Sequence, residues 1–180
     1  MRTIALLRGI NVGGNKKVPM ADLRALMERL GFSDVKTYVQ SGNVVFSGPR
    51  RAARTIAREI EAGIVEQFGF EVLITIRTRD ELAAVVAANP LGEVATVDKR
   101  HHVVFLSAAP DPAVVAEIDE VAHEPERFEL IGRELYVWTP EGITDSPLFK
   151  ALSEKRLGVR ATARNWRTVA KLLEMADADA

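Results

Sequence analysis

The stretch Arg8-Gly9-Ile10-Asn11-Val12-Gly13-Gly14-Asn15-Lys16-Lys17 places three cations and three glycines within ten residues. That composition suits an oxyanion. Glycines let backbone N–H groups turn toward a ligand, and Arg8, Lys16 and Lys17 add charge. Near the other end, Arg164, Asn165 and Trp166 offer a cation, a hydrogen-bonding amide and an aromatic plane. Arg164, Arg167 and Lys171 are spaced as one helical stripe, and basic residues beside an aromatic can bind single-stranded nucleic acid. Each stretch also has an ordinary structural reading: a tight turn with solvated lysines, and a tryptophan anchoring a core.

The first loop matches neither common nucleotide motif. Gly14 is followed by Asn15-Lys16-Lys17, where a phosphate loop needs Lys and then Ser or Thr, and its glycines are not spaced G-x-G-x-x-G. Ser41 in Gln40-Ser41-Gly42-Asn43 lacks the preceding glycine of a nucleophile elbow, and a strand follows it. The stretch reads as a hairpin turn, with Ser41 and Asn43 as candidate ligand contacts. His101 and His102 are neighbours on a strand and point to opposite faces, so they cannot share a metal. No carboxylate pair or metal-ligand spacing stands out, so no cofactor and no metal is expected. The chain has no cysteine, which removes disulfides, thiolate metal sites and a cysteine nucleophile.

Charge patterning supports a focused site. Residues 1–21 hold four basic residues and no acid, and residues 155–173 hold six, again with no acid. The remainder carries 14 basic residues against 25 acidic ones, although the net charge is only −1. Positive charge confined to two segments favours an anion site over a broad nucleic-acid surface.

The elements that must position these residues follow from periodicity. Ile4–Leu7 is an apolar strand, and Met20–Leu30 repeats apolar residues on one helical face before Gly31 ends it. Val35–Val39 and Val44–Ser47 pair as a hairpin, Ala52–Phe68 is a helix, and Phe70–Ile76 is a strand. Thr78-Arg79-Asp80-Glu81 is a capping box for the next helix, which Asn89-Pro90 ends. The second half repeats this order. His102–Leu106 is a strand, and Asp111-Pro112 opens a helix. Phe128–Ile131 and Glu134–Trp138 form a hairpin, Ser146-Pro147 opens a helix, and Val159–Ala163 is a short strand. Asn165 then caps a final helix. The expectation is an α+β chain of two tandem ferredoxin-like βαββαβ units, each an antiparallel sheet with helices on one face. The units span 1–89 and 100–180, joined by a linker at 90–99. No residue-level repeat is evident between them. The bare sheet faces would pack together or share a groove.

RGINVGGNKKVPMADLRALMERLGF, VKTYVQSGNVVF and TARNWRTVAKLLEM together resemble the domain-of-unknown-function family 1697. The resemblance implies paired ferredoxin-like units and no particular activity. The matching positions are Arg8, Gly9, Asn11, Gly13, Gly14 and Met20, then Tyr38, Ser41, Gly42 and Asn43, and last Arg164, Asn165 and Trp166.

The leading expectation is a cytoplasmic protein that binds a phosphate-bearing small ligand between the first loop and the Arg164–Trp166 corner. Its contacts would come from Arg8, Asn11, Gly13, Gly14, Asn15, Lys16, Lys17, Ser41, Asn43, Arg164, Asn165 and Trp166. The alternatives are an enzyme acting on a small anionic or nucleotide substrate, and a single-stranded nucleic-acid module using an exposed sheet face. The last would need Tyr38 and Phe46 at the surface. No apolar run reaches the ~20 residues of a membrane-spanning helix, and the sequence does not determine an oligomeric state.

Overall fold

The computed structural model describes residues 1–178; the last two residues of the expected second unit lie outside them. Strand β1 (Arg2–Leu7) leads through the glycine-rich loop to helix α1 (Met20–Arg29). The buried stripe of α1 is Met20, Leu23, Leu26 and Met27. Gly31, at φ 85°, closes the helix. Its N–H donates to the Glu28 carbonyl and that of Phe32 to Met27, the pair of bonds that satisfies a helix C-terminus through a left-handed glycine. Strands β2 (Ser33–Tyr38) and β3 (Asn43–Ser47), helix α2 (Ala53–Phe68) and strand β4 (Ile74–Thr78) complete the first unit's βαββαβ order. Its sheet runs β2-β3-β1-β4 with every pair antiparallel.

Helix α3 (Arg79–Ala87) begins at the expected capping box. Thr78 N–H donates to Glu81 Oε2 at 2.7 Å, and Glu81 N–H donates to Thr78 Oγ1 at 3.1 Å. Strand β5 (His101–Leu106), helix α4 (Pro112–Asp119), the β6 (Arg127–Ile131) and β7 (Glu134–Trp138) hairpin, short helices α5 (Pro147–Ala151) and α6 (Glu154–Leu157), and strand β8 (Ala161–Asn165) repeat the order. The second sheet runs β6-β7-β5-β8, the same arrangement as the first. Helix α7 (Trp166–Asp177) ends the described chain.

The compact units are Met1–Ala83 together with the chain from Lys171 onward, and Ala84–Ala170. The division cuts through α3 and α7. Arg79, at the start of α3, ties the end of α7 to the first unit by donating from Nε to Asp177 Oδ1 at 2.7 Å.

Each unit has its own core. In the first, Ala5, Leu7, Val44, Phe46, Ile74 and Ile76 meet α1 and α2. In the second, Val104, Leu106, Leu135, Val137 and Ala161 meet Ile118, Leu148 and Leu157. The opposite faces are not bare. Ile4, Leu6, Val45 and Arg77 of the first sheet, and Val103, Phe105 and Tyr136 of the second, are almost wholly buried. Phe46 lies in the core, edge-on to Phe32 with ring centroids 4.7 Å apart. An exposed-sheet platform using Phe46 is therefore closed.

The structure moves several elements from their expected positions. Strand β4 starts at Ile74, not Phe70, because Ile74 pairs with Leu7, the last residue of β1; residues before it run past the end of any partner strand. Strand β8 is Ala161–Asn165 rather than Val159–Ala163. Arg164 is thus a strand residue, not part of a helical stripe with Arg167 and Lys171. The helix opened by Ser146-Pro147 stops after five residues, and a second four-residue helix follows.

Register also uncovers a repeat that the bare sequence hides. Arg77 pairs with Ile4, and Arg164 pairs with Val103, each on the central strand of its sheet. Aligning on them superposes Thr75-Ile76-Arg77-Thr78 on Thr162-Ala163-Arg164-Asn165. The next helices then match Leu82 with Val169 and Val85 with Leu172, all buried. Thr78 and Asn165 are both helix caps, Asn165 Oδ1 accepting from Thr168 N–H at 3.0 Å.

Candidate functional site

The glycine-rich loop folds as a miniature β-hairpin. Val12 and Asn15 form a bridge, closed by the Asn15 N–H bond to the Val12 carbonyl at 3.2 Å. Asn11 N–H donates to the Lys16 carbonyl at 3.1 Å, one step further down. The two central residues, Gly13 and Gly14, have φ values of 60° and 79°. Positive φ at both centres is the signature of a type I′ turn, which glycine and asparagine adopt most readily. A Gly-Gly pair between two other residues favours such a turn, which the sequence reading of this loop did not use.

Its base is locked from three sides. Asn11, itself at φ 55°, donates from Nδ2 to the carbonyls of Val18 (2.9 Å) and Gln40 (2.8 Å) and accepts from Val18 N–H (2.9 Å). Arg8 N–H donates to the Leu73 carbonyl at 3.0 Å, and Lys16 Nζ donates to the Glu71 carbonyl at 2.7 Å. Ile10 is buried beneath, against Gly42 of the hairpin turn, where a Cβ would fall 2.8 Å from the Ile10 side chain. Five of the ten residues from Arg8 to Lys17 have positive φ, including non-glycines Asn11 and Lys16. Val39 in the adjoining turn does too, at φ 51°, an unfavourable conformation for a β-branched residue. Strain of this kind persists only where surrounding bonds impose it, and it concentrates at functional sites.

The surface presented is cationic with apolar points. Arg8, Gly13, Gly14, Asn15, Lys16 and Lys17 are exposed, as are Val12, Val39 and Leu73. Among the described residues, the N–H groups of Gly13 and Gly14 have no hydrogen-bond partner. Ser41 is exposed in the neighbouring turn, while Asn43 is fully buried and donates to the Tyr38 carbonyl and to Ser41 Oγ, both at 3.0 Å.

Arg164, Asn165 and Trp166 belong to the other unit. Each is engaged there. Arg164 donates to the Ala163 carbonyl at 2.8 Å, and burial pulls its guanidinium down to about 10. Asn165 caps α7. Trp166 stacks on His101, rings 12° from parallel and 4.7 Å apart. His102 turns the opposite way, edge-on to Phe149, as neighbours on a strand must. Burial pulls His101 down to about 4, with His102 adding to the effect and Asp98 opposing it. Burial also lowers His102, and it pushes Tyr136, whose hydroxyl donates to the Val85 carbonyl at 2.9 Å, up to about 12. These shifts all come chiefly from desolvation inside a packed core, which is a different pattern from an acid and a base poised in a cleft. No group of three or more His, Asp or Glu side chains able to hold a metal occurs among the described residues.

Comparison with known proteins supports the family that the sequence resembles. The family described as protein of unknown function (DUF1697) matches residues 1–136. The chain belongs to the DUF1697 family. A solved structure of a conserved bacterial protein from Streptococcus pneumoniae is similar along 97% of this chain and 98% of its own, with a TM-score of 0.78 and 24% identity. That likeness establishes a shared fold for this DUF1697 protein. No curated protein matches it. No helix among the described residues is long and apolar enough to cross a membrane.

Proposed function

We propose that this DUF1697 protein binds a phosphate-bearing small ligand at the finger, in the cytoplasm, without turning it over. One observation carries the reading: the Gly13 and Gly14 amides, unpartnered and exposed, sit on a strained hairpin that Asn11 holds in place, in a segment free of acidic residues. A preformed set of donors binds an anion without first ordering the loop. Lys17 and Arg8 supply charge, and a charge-assisted hydrogen bond contributes about 1.5–3 kcal/mol. Lys16 braces the finger through Glu71. The Arg164–Trp166 corner serves its own unit, and the ligand reading does not depend on it.

Binding ranks above catalysis because Ser41, the hydroxyl nearest in sequence to the Gln40 anchor, accepts from Asn43 and has no histidine beside it in the turn. The test is a 15N-correlation titration with inorganic phosphate and then a mononucleotide. Saturable shifts at Gly13, Gly14 and Lys17 are expected, with affinity reduced at least tenfold in Lys17→Ala and the loop response lost in Asn11→Ala. Absence of any saturable shift in the folded wild type would refute the proposal. A steep salt dependence with a short RNA, and none of these shifts with the mononucleotide, would transfer the site to nucleic acid.

A further inference from the structure

Within the Ala84–Ala170 unit, a groove of about 530 Å³ opens beside the turn after β7. Its apolar lining comes from Val121, Pro125, Pro140 and Pro147. Its acidic lining residues are Glu126, Glu141, Asp145 and Glu124, the last paired with Arg127 at 2.6 Å, and His123 lines it as well. Glu126 is committed to the Leu148 N–H at the start of α5, at 3.4 Å. Glu141 has no ion-pair partner among the described residues. Asp145 lies 4.0 Å from Lys150 with its side chain 99% exposed, a pair of negligible strength. A second cavity of about 390 Å³ shares Glu124 and Glu126 and adds Asp119, Glu129 and the cation Arg127. An occupant must therefore bring an apolar side chain flanked by cations.

The finger has that chemistry. Val12, 66% exposed, sits just below its Gly13-Gly14 tip, with Lys17 and Arg8 at its base and no acidic residue anywhere in residues 1–21. We propose that the finger of a second copy of this chain docks in the groove, Val12 against its prolines and the basic residues against Glu141 and Asp145. Finger and groove are different patches, so the contact is head-to-tail and either closes a ring or extends a chain. A hairpin tip in one groove buries less than a standard interface, so association is weak and sensitive to salt. The inference goes beyond the ligand reading and requires no phosphate.

Sedimentation velocity on the full chain over a wide concentration series, at low and high salt, tests it. Concentration-dependent association that salt reverses is expected. Glu141→Lys with Asp145→Lys, and separately Val12→Asp with Lys17→Glu, should each weaken it at least tenfold. Mixing the two double variants should restore association, because the unaltered finger of one then meets the unaltered groove of the other. All four positions are exposed, and circular dichroism verifies folding. A wild type that stays monomeric throughout, or charge reversals that associate as strongly as wild type, would overturn the proposal. The groove variant leaves the finger intact, so its phosphate titration separates failure of this inference from failure of the ligand reading.

Discussion

Arg77 and Arg164 occupy the same register position in their two sheets, and each guanidinium donates to the carbonyl of the residue before it, at 2.9 Å and 2.8 Å. Both follow a buried threonine two residues earlier, Thr75 and Thr162. Both precede the residue that caps the next helix. A shared hydrogen bond, register and cap at one spacing is the trace of a duplicated βα segment. It also accounts for the motif block around Arg164 without invoking a ligand.

The duplication predicts paired energetics. Arg77→Met and Arg164→Met each remove a donor, buried at Arg77 and half-buried at Arg164, and leave a carbonyl short of its partner, at a cost of about 1–3 kcal/mol. Thr78→Ala and Asn165→Ala each remove a cap, costing about 1 kcal/mol. Urea unfolding should show the members of each pair destabilised by similar amounts. A large loss at Arg77 with none at Arg164 would show the resemblance to be superficial.

Much of the fold was legible because its signals are local. The Thr78–Glu81 box, the Asp111 and Ser146 caps and Gly31 all act within a few residues. What escaped depends on partners distant in sequence. The start of β4 is set by where β1 ends, and the burial of Arg164 by its place in a sheet; helical spacing alone suggested an exposed stripe. The arginine repeat lies in two strands whose other residues differ, Ile74 and Ile76 against Ala161 and Ala163, so only register aligns it. At the finger, composition pointed to an anion-binding loop, whereas the hairpin geometry rests on Asn11 reaching Gln40, 29 residues away.

Glycines in the two adjoining turns should respond differently to substitution. At Gly42, φ is 78° and a Cβ would sit 2.6 Å from Leu7 Cβ and 2.8 Å from Ile10, both packed in the core. Gly42→Ala therefore combines a left-handed backbone with overpacking, the latter alone worth about 1–3 kcal/mol. At Gly13, φ is 60° but nothing lies within 4 Å of a new Cβ. Gly13→Ala carries backbone strain alone, roughly 1 kcal/mol, and Gly13→Asn less, since asparagine tolerates this region. Thermal melts of the three variants should rank Gly42→Ala as by far the least stable. Equal melting temperatures for the two alanine variants would contradict the packing at Leu7 and Ile10.

His101 makes the second unit sensitive to acid. The ring is 1% exposed, stacked on Trp166, and held at about 4 mainly by burial, against 6.5 for an ordinary histidine. Between those values the unfolded chain binds a proton that the folded chain refuses. Stability is therefore complete above about pH 6.5 and falls as pH drops toward 4. His102, also lowered by burial, acts in the same direction. The slope approaches about 1.4 kcal/mol per pH unit for each histidine, so His101 alone removes roughly 2 kcal/mol between pH 6.5 and 5. His101→Phe keeps an aromatic ring for Trp166 to stack on and removes the titration. Its urea midpoint should vary less between pH 7 and pH 5 than that of the wild type. Should the two proteins lose stability in parallel, acid sensitivity would lie in the carboxylates and not in the His101–Trp166 stack.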